Sequence, residues 1–228
     1  MVDNFYALTD GLAPLPEYDR NTKETSYRDV KVHTLKVGDL YLPTGQLAAS
    51  DPYVQFETPL IFDVPAGVYP VYVTVADVSP NQDGSHYREA YLTVKFSDNE
   101  SDTVIFATPK GKEPVQEGDS TFYGVGVDAG MVGFYDFSVV DKVNSTLSDP
   151  DDLFDVFEEV LQEDGAATTG VFNLEEPETN GNVIFSHSGW GDGFYPVVQT
   201  IDKEGKLTGY HIDISVVGKF DDDEELIS

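Results

Sequence analysis

The chain of 228 residues contains no cysteine. That excludes disulfide cross-links, thiolate zinc sites and a cysteine nucleophile together. Cations are scarce as well: 13 Lys and Arg stand against 42 Asp and Glu, giving a formal charge of −29. A field of that sign repels DNA, RNA and anionic lipid, while it draws in cations and basic proteins. No apolar run is long enough to span a bilayer, and the opening MVDNFYALTDGLAPLPEYDR holds no basic segment followed by an apolar one. The expectation is a cytoplasmic protein with neither nucleic acid nor membrane as partner. Sequons at Asn99 and Asn144 then carry no weight, because glycosylation needs a secretory route.

What is present is a foldable composition. Hydrophobic residues make up 40% of the chain and aromatic residues 12%, more than a disordered acidic chain carries, so the acidity belongs to the surface of a folded object. From about Asp29 onward, short apolar runs alternate with Gly, Pro and Asp turns. That rhythm predicts a mainly β, β-rich α+β fold, an antiparallel sandwich or barrel-like pair of sheets. In 69–75, Tyr69, Val71, Val73 and Val75 share one strand face, as do Ala90, Leu92, Val94 and Phe96 in 88–96. The intervening VSPNQDGSH reads as a hairpin loop; it imitates a calcium loop but lacks the leading aspartate and the terminal glutamate. A second hairpin is expected near the end, from Gly193 to Asp202 and from Lys206 to Val217, closed by Lys203-Glu204-Gly205.

One amphipathic helix is predicted near 149–163. Leu153, Val156, Phe157, Val160 and Leu161 recur at helical spacing, Asp149 suits the N-cap, Pro150 the first turn and Gly165 the stop. Asp155, Glu158, Glu159 and Glu163 lie away from the apolar stripe and form a candidate partner surface, or simply a solvated face. The domain reading is an N-terminal arm or irregular extension over 1–30, a single β-rich domain over 31–218 and an acidic tail over 219–228.

Two glycine-rich stretches draw attention. SHSGWGDGFYPV, residues 186–197, holds the sole tryptophan, Trp190, with Asp192 and Tyr195; GVGVDAGMVGFYD, residues 124–136, holds Asp128. Asp192 lies between glycines that permit positive φ, and Trp190 could anchor that corner in the core. Asp128, beside an apolar strand, reads as buried or half-buried and in need of donors. Each stretch is either a structural corner or part of a ligand site, and for the Gly189–Gly193 stretch the residue types favour the corner. Ser186-His187-Ser188 supplies the residue types of a serine hydrolase in the wrong arrangement: in an extended chain adjacent side chains point to opposite faces, and no G-x-S-x-G elbow exists. His211, Asp213 and Ser215 share one face of a strand and read as solvent-facing. His33 and His86 have no metal-ligand spacing around them, and no cofactor or metal site is predicted.

Three separated motifs, GDLYLPTGQLAASDP from Gly38, VDAG from Val127 and SGWGDGFYPV from Ser188, together resemble a bacterial family catalogued as domain of unknown function 4241. The likeness runs from about Val37 to Val217. It implies one continuous domain and supplies no catalytic residue; Met131-Val132 stand where the family usually has a small residue. Asp51, Asp128 and Asp192 each end a strand beside Gly or Pro, so the three turns are candidates to converge, with Arg88 and Lys110 as candidate basic neighbours. Two functions follow as expectations. One is a non-enzymatic acidic interaction protein, immunity-protein-like, binding a basic protein such as a toxin. The other is a small-molecule-binding protein or hydrolase with a carboxylate site at Asp128 and Asp192, Trp190 and Tyr195 forming an aromatic wall.

Overall fold

The structure, a computed structural model, describes residues 4–115, 121–146 and 152–219. The strands are β1 Gly11–Asp19, β2 Glu24–Leu42, β3 Gln46–Ser50, β4 Leu60–Asp63, β5 Gly67–Asp77, β6 Tyr87–Lys95 and β7 Thr103–Phe106, followed by β8 Gly124–Val127 and β9 Met131–Asp136. Then come the helices α1 Val139–Thr146 and α2 Asp152–Glu158, strands β10 Leu161–Glu163 and β11 Thr168–Asn173, the one-turn α3 Pro177–Asn180, and strands β12 Asn182–His187, β13 Gly193–Ile201 and β14 Leu207–Asp213. All strand pairings are antiparallel, in two sheets: β1-β2-β5-β6-β14-β13-β7 with β8 beside the start of β13, and β10-β11-β12-β9-β3-β4. The mainly β fold anticipated from the turn rhythm is what the chain forms.

The main core lies between the sheets. Val71, Val73, Val94, Val197 and Ile212 of the large sheet meet Leu47, Phe62, Val132, Phe134 and Ile184 of the small one, all fully or almost fully buried. Asn182 ties the layers at their polar margin: its Oδ1 accepts the N–H of Tyr41 at 2.9 Å and its Nδ2 donates to the carbonyl of Asp39 at 3.0 Å. The outer face of the small sheet is covered in turn. Tyr135, Val183 and Phe185 pack there with Val139, Val140 and Val143 of α1, Phe157 of α2, and Tyr53 and Phe56 of the loop after β3.

The helical stretch departs from its sequence pattern. Helix α2 ends at Glu158, and Leu161–Glu163 pairs with β11 as an edge strand, while the N-cap expected at Asp149 and the first-turn residue expected at Pro150 lie outside the described residues. A stripe at helical spacing fixes which side chains go inward but not how far the helix runs, and here strand pairing with Thr168–Gly170 satisfies the backbone after two turns. Gly165, at φ +86°, turns the chain back between β10 and β11. Helix α1 was not signalled, because its run of valines reads as strand.

Residues 1–30, read as an arm or extension, enter the large sheet from Gly11 on as β1 and the start of β2. Ahead of them, residues 4–10 cross the outer face of the large sheet. Leu8 donates its N–H to Thr74 Oγ1 at 3.0 Å, Phe5 meets Tyr91 and His211 edge-on, and Asn4 exchanges two hydrogen bonds with the backbone of Lys219. Residues 220–228 lie outside the described residues.

Candidate functional site

The corner at 188–193 is built from its own backbone inward. Ser188 is buried, its Oγ donates to the carbonyl of Gly191 at 2.7 Å, and the Tyr195 hydroxyl donates to the same carbonyl at 2.8 Å. Gly189 sits at φ +60°, and a Cβ there would lie 2.6 Å from the carbonyl oxygen of Glu89, so only glycine fits. Tyr195 is thereby consumed as an internal strut of the turn rather than offered as an aromatic wall.

The three aspartate turns do meet, but through backbone. Asp51, fully buried, accepts the N–H groups of Asp128 at 3.1 Å and Ala129 at 2.8 Å on Oδ2 and that of Tyr53 at 3.0 Å on Oδ1. Ser188 donates its N–H to the carbonyl of Gly130 at 3.0 Å, and Gly193 pairs with Val127 across β13 and β8, which sets Asp192 beside Asp128 at one end of the strand pair. The carboxylates themselves are not gathered. Asp51 is wrapped in N–H groups, whereas Asp128 and Asp192 are both exposed. Among the described residues, no three His, Asp or Glu side chains are grouped as a metal ion would require.

Two expectations of burial are overturned. Asp128 is exposed, because the turn's donors are spent on Asp51 and its own side chain points out to water. Trp190 is 55% exposed rather than anchored in the core, and its ring carries the Arg88 guanidinium 5.2 Å from the centroid. The Gly-rich turn is held by Ser188 and Tyr195 instead, so the indole is left outside. Neither basic neighbour serves the aspartates: Arg88 lies on Trp190, and Lys110 pairs with Asp63 at 2.8 Å.

His211 and Asp213 are also not solvent-facing; both are almost fully buried beneath the crossing segment 4–10. Strand alternation identified their common face correctly, but a second layer covers it. His211 is held between two hydroxyls, Thr93 Oγ1 at 2.9 Å from Nδ1 and Thr200 Oγ1 at 3.0 Å from Nε2, and burial pulls its pKa down to about 3. Burial pushes Asp213 up to about 7, offset in part by the N–H of Ser215 and by the Tyr91 hydroxyl.

Glu89 was missed altogether. An extra residue on β6 between Tyr91 and Glu89 breaks the alternation, and Glu89 reaches the small sheet, where Oε1 accepts the N–H of Thr168 at 2.8 Å. Burial raises its pKa, while the Thr168 N–H and the nearby His187 act the other way. No periodicity in the sequence marks such a bulge. The four carboxylates assigned to a partner surface, Asp155, Glu158, Glu159 and Glu163, are all exposed on α2 and the β10 edge, beside Phe154 at 46% exposure. A shallow depression beside α1 is lined by Lys142, Phe172, Leu174 and Glu175 and includes none of the candidate site residues.

Residues 40–211 match the model of a family described as protein of unknown function (DUF4241). The chain belongs to that family, and the match spans all three motifs almost entirely. No curated protein and no solved structure matches the chain.

Proposed function

We propose that this chain is a non-enzymatic interaction protein of the cytoplasm that captures a basic protein partner. An immunity protein neutralising a basic toxin is its most concrete form, by analogy with small acidic proteins that work by charge complementarity. The observation that carries the reading is the face of α2 and β10: Asp155, Glu158, Glu159 and Glu163 stand exposed, and none of them is in an ion pair among the described residues. Phe154 beside them adds apolar contact area of the kind that anchors an interface inside a charged rim. The test is affinity capture from the source cells, followed by titration of the purified partner against the wild type and against Asp155→Lys/Glu158→Lys/Glu159→Lys/Glu163→Lys. A basic partner whose affinity falls at least ~tenfold on reversal supports the proposal; a partner bound equally by both chains overturns it.

A second reading keeps a ligand at Asp128 and Asp192. What favours it is the pairing of Val127 with Gly193, which sets two exposed carboxylates next to each other near the exposed Trp190. Quenching or shift of the Trp190 emission by a sugar or nucleoside panel, lost in Asp128→Asn/Asp192→Asn, is the result this reading expects. An emission unchanged across the panel removes it.

A further inference from the structure

The outermost strands are β1 and β7 of the large sheet and β10 and β4 of the small one. Three of these edges do not select a further strand. Pro14 and Pro16 remove donors from β1, the N–H of Lys110 reaches the carbonyl of Ile61 on β4 at 2.7 Å, and β7, Thr-Val-Ile-Phe, carries no charge. Strand β10 differs from all of them.

Which of its backbone groups face outward follows from the hairpin with β11. Asp164 donates its N–H to the carbonyl of Ala167 at 3.3 Å, while Thr168, opposite Glu163, turns its N–H away from β10 to Glu89 Oε1 at 2.8 Å. Bonded and non-bonded pairs alternate along an antiparallel ladder, so Gln162 bonds to Thr169, and the N–H and C=O groups of Leu161 and Glu163 point out of the sheet. Among the described residues no backbone carbonyl meets either N–H. Leu161 packs on the face that carries Phe185 and α2, and Glu163, two residues on, lies on the same face. Gln162 and Glu163 are exposed.

Charge selects what can lie along this edge. Residues 152–164 hold six carboxylates, Asp152, Asp155, Glu158, Glu159, Glu163 and Asp164, and no cation; no Lys or Arg falls anywhere between Lys142 and Lys203. A second copy would bring the same carboxylates against these and is repelled. A strand carrying Lys or Arg is attracted, and the open edge offers it backbone partners as well.

We propose that β10 is the edge onto which the basic partner adds an antiparallel strand, its backbone bonded to Leu161 and Glu163 and a Lys or Arg set opposite Glu163. The inference rests on the reading of the α2–β10 face as the capture surface and states how the partner is held there. Main-chain bonds supply affinity, and the carboxylates supply the choice of segment.

A peptide of alternating lysine and valine is the probe, and amide hydrogen exchange of the ¹⁵N-labelled full chain is the readout. In the free protein Leu161 and Glu163 exchange faster than Gln162; saturation with the peptide slows Leu161 and Glu163 at least ~tenfold. Residues opposite Glu163 aim their own N–H groups at β10, so N-methylation of the lysine amides abolishes this protection, whereas N-methylation of the valine amides leaves it. Glu163→Pro deletes an outward N–H and no bond inside the sheet; it weakens binding about tenfold more than Glu163→Gln does, with the unfolding midpoint unchanged. Equal binding of both methylated peptides, or no binding at millimolar peptide, overturns the proposal. Binding that is lost in the fourfold charge reversal while exchange at Leu161 and Glu163 stays fast also overturns it, yet leaves the basic-partner reading standing, so the two fail separately.

Discussion

Asp51 Oδ2 accepts the backbone N–H of Ala129 at 2.8 Å, which makes a fully buried carboxylate the clamp between the loop after β3 and the β8–β9 turn. The same carboxylate holds the N–H groups of Tyr53 and Asp128. Asp51→Ala leaves all three donors without their acceptor and is expected to cost about 3 kcal/mol or more in urea unfolding. Asp128→Asn and Asp192→Asn, with exposed side chains, stay within about 0.5 kcal/mol of wild type. Equal losses at all three positions would show that the turn geometry described here is wrong.

Two glycines of one corner separate a steric demand from a conformational one. Gly189→Ala places a Cβ 2.6 Å from the Glu89 carbonyl oxygen at φ +60°, whereas Gly191→Ala meets no atom within 4 Å at φ +101°. Both pay for the positive φ, but only the first must also displace the backbone of β6. Gly189→Ala is therefore the more destabilising of the two by about 2 kcal/mol in thermal or urea unfolding.

His211 and Asp213 hold opposite protonation anomalies two residues apart. Between about pH 4 and 6.5 the unfolded chain carries a proton on His211 and none on Asp213, while the native chain, with its values of about 3 and about 7, does the reverse. Proton counts match, so this pair adds no slope of stability with pH in that window. Removing one member exposes the other. Asp213→Asn should gain stability relative to wild type as pH rises from 4 to 7, because a penalty for ionising the buried carboxyl is gone. His211→Gln should lose stability relative to wild type as pH rises from 3 to 6.5, each change being on the order of 4 kcal/mol across its window. Parallel pH profiles for all three proteins would count against this account of the pair.

Trp190, the sole tryptophan, reports on the corner directly. At 55% exposure its emission is red-shifted and open to acrylamide in the free protein, and Trp190→Ala costs less than about 1 kcal/mol. Blue-shifted, protected emission in the isolated chain would place the indole in the interior.

Strand identity was readable because alternation is a property of neighbours. Tyr69 to Val75 and Ala90 to Val94 declare their faces locally, and the β13–β14 turn declares itself through Lys203-Glu204-Gly205. The same logic located the glycine corner and the three aspartate turns. It misjudged Trp190 and Asp128, since a residue's type says what it tolerates and not whether a neighbour such as Ser188 or Asp51 has already filled the place. It missed Glu89 because a single extra residue on β6 reverses the face of everything before it.

The sequence by itself determined a folded, acidic, mainly β protein without disulfides, since composition, strand period and turn residues act over a few positions. Only the tertiary structure decided which carboxylates are buried, that segment 4–10 seals His211 and Asp213, and that the β1–β2 end stands clear of the core. Burial is set by residues distant in the chain, and no local pattern encodes what another layer will cover.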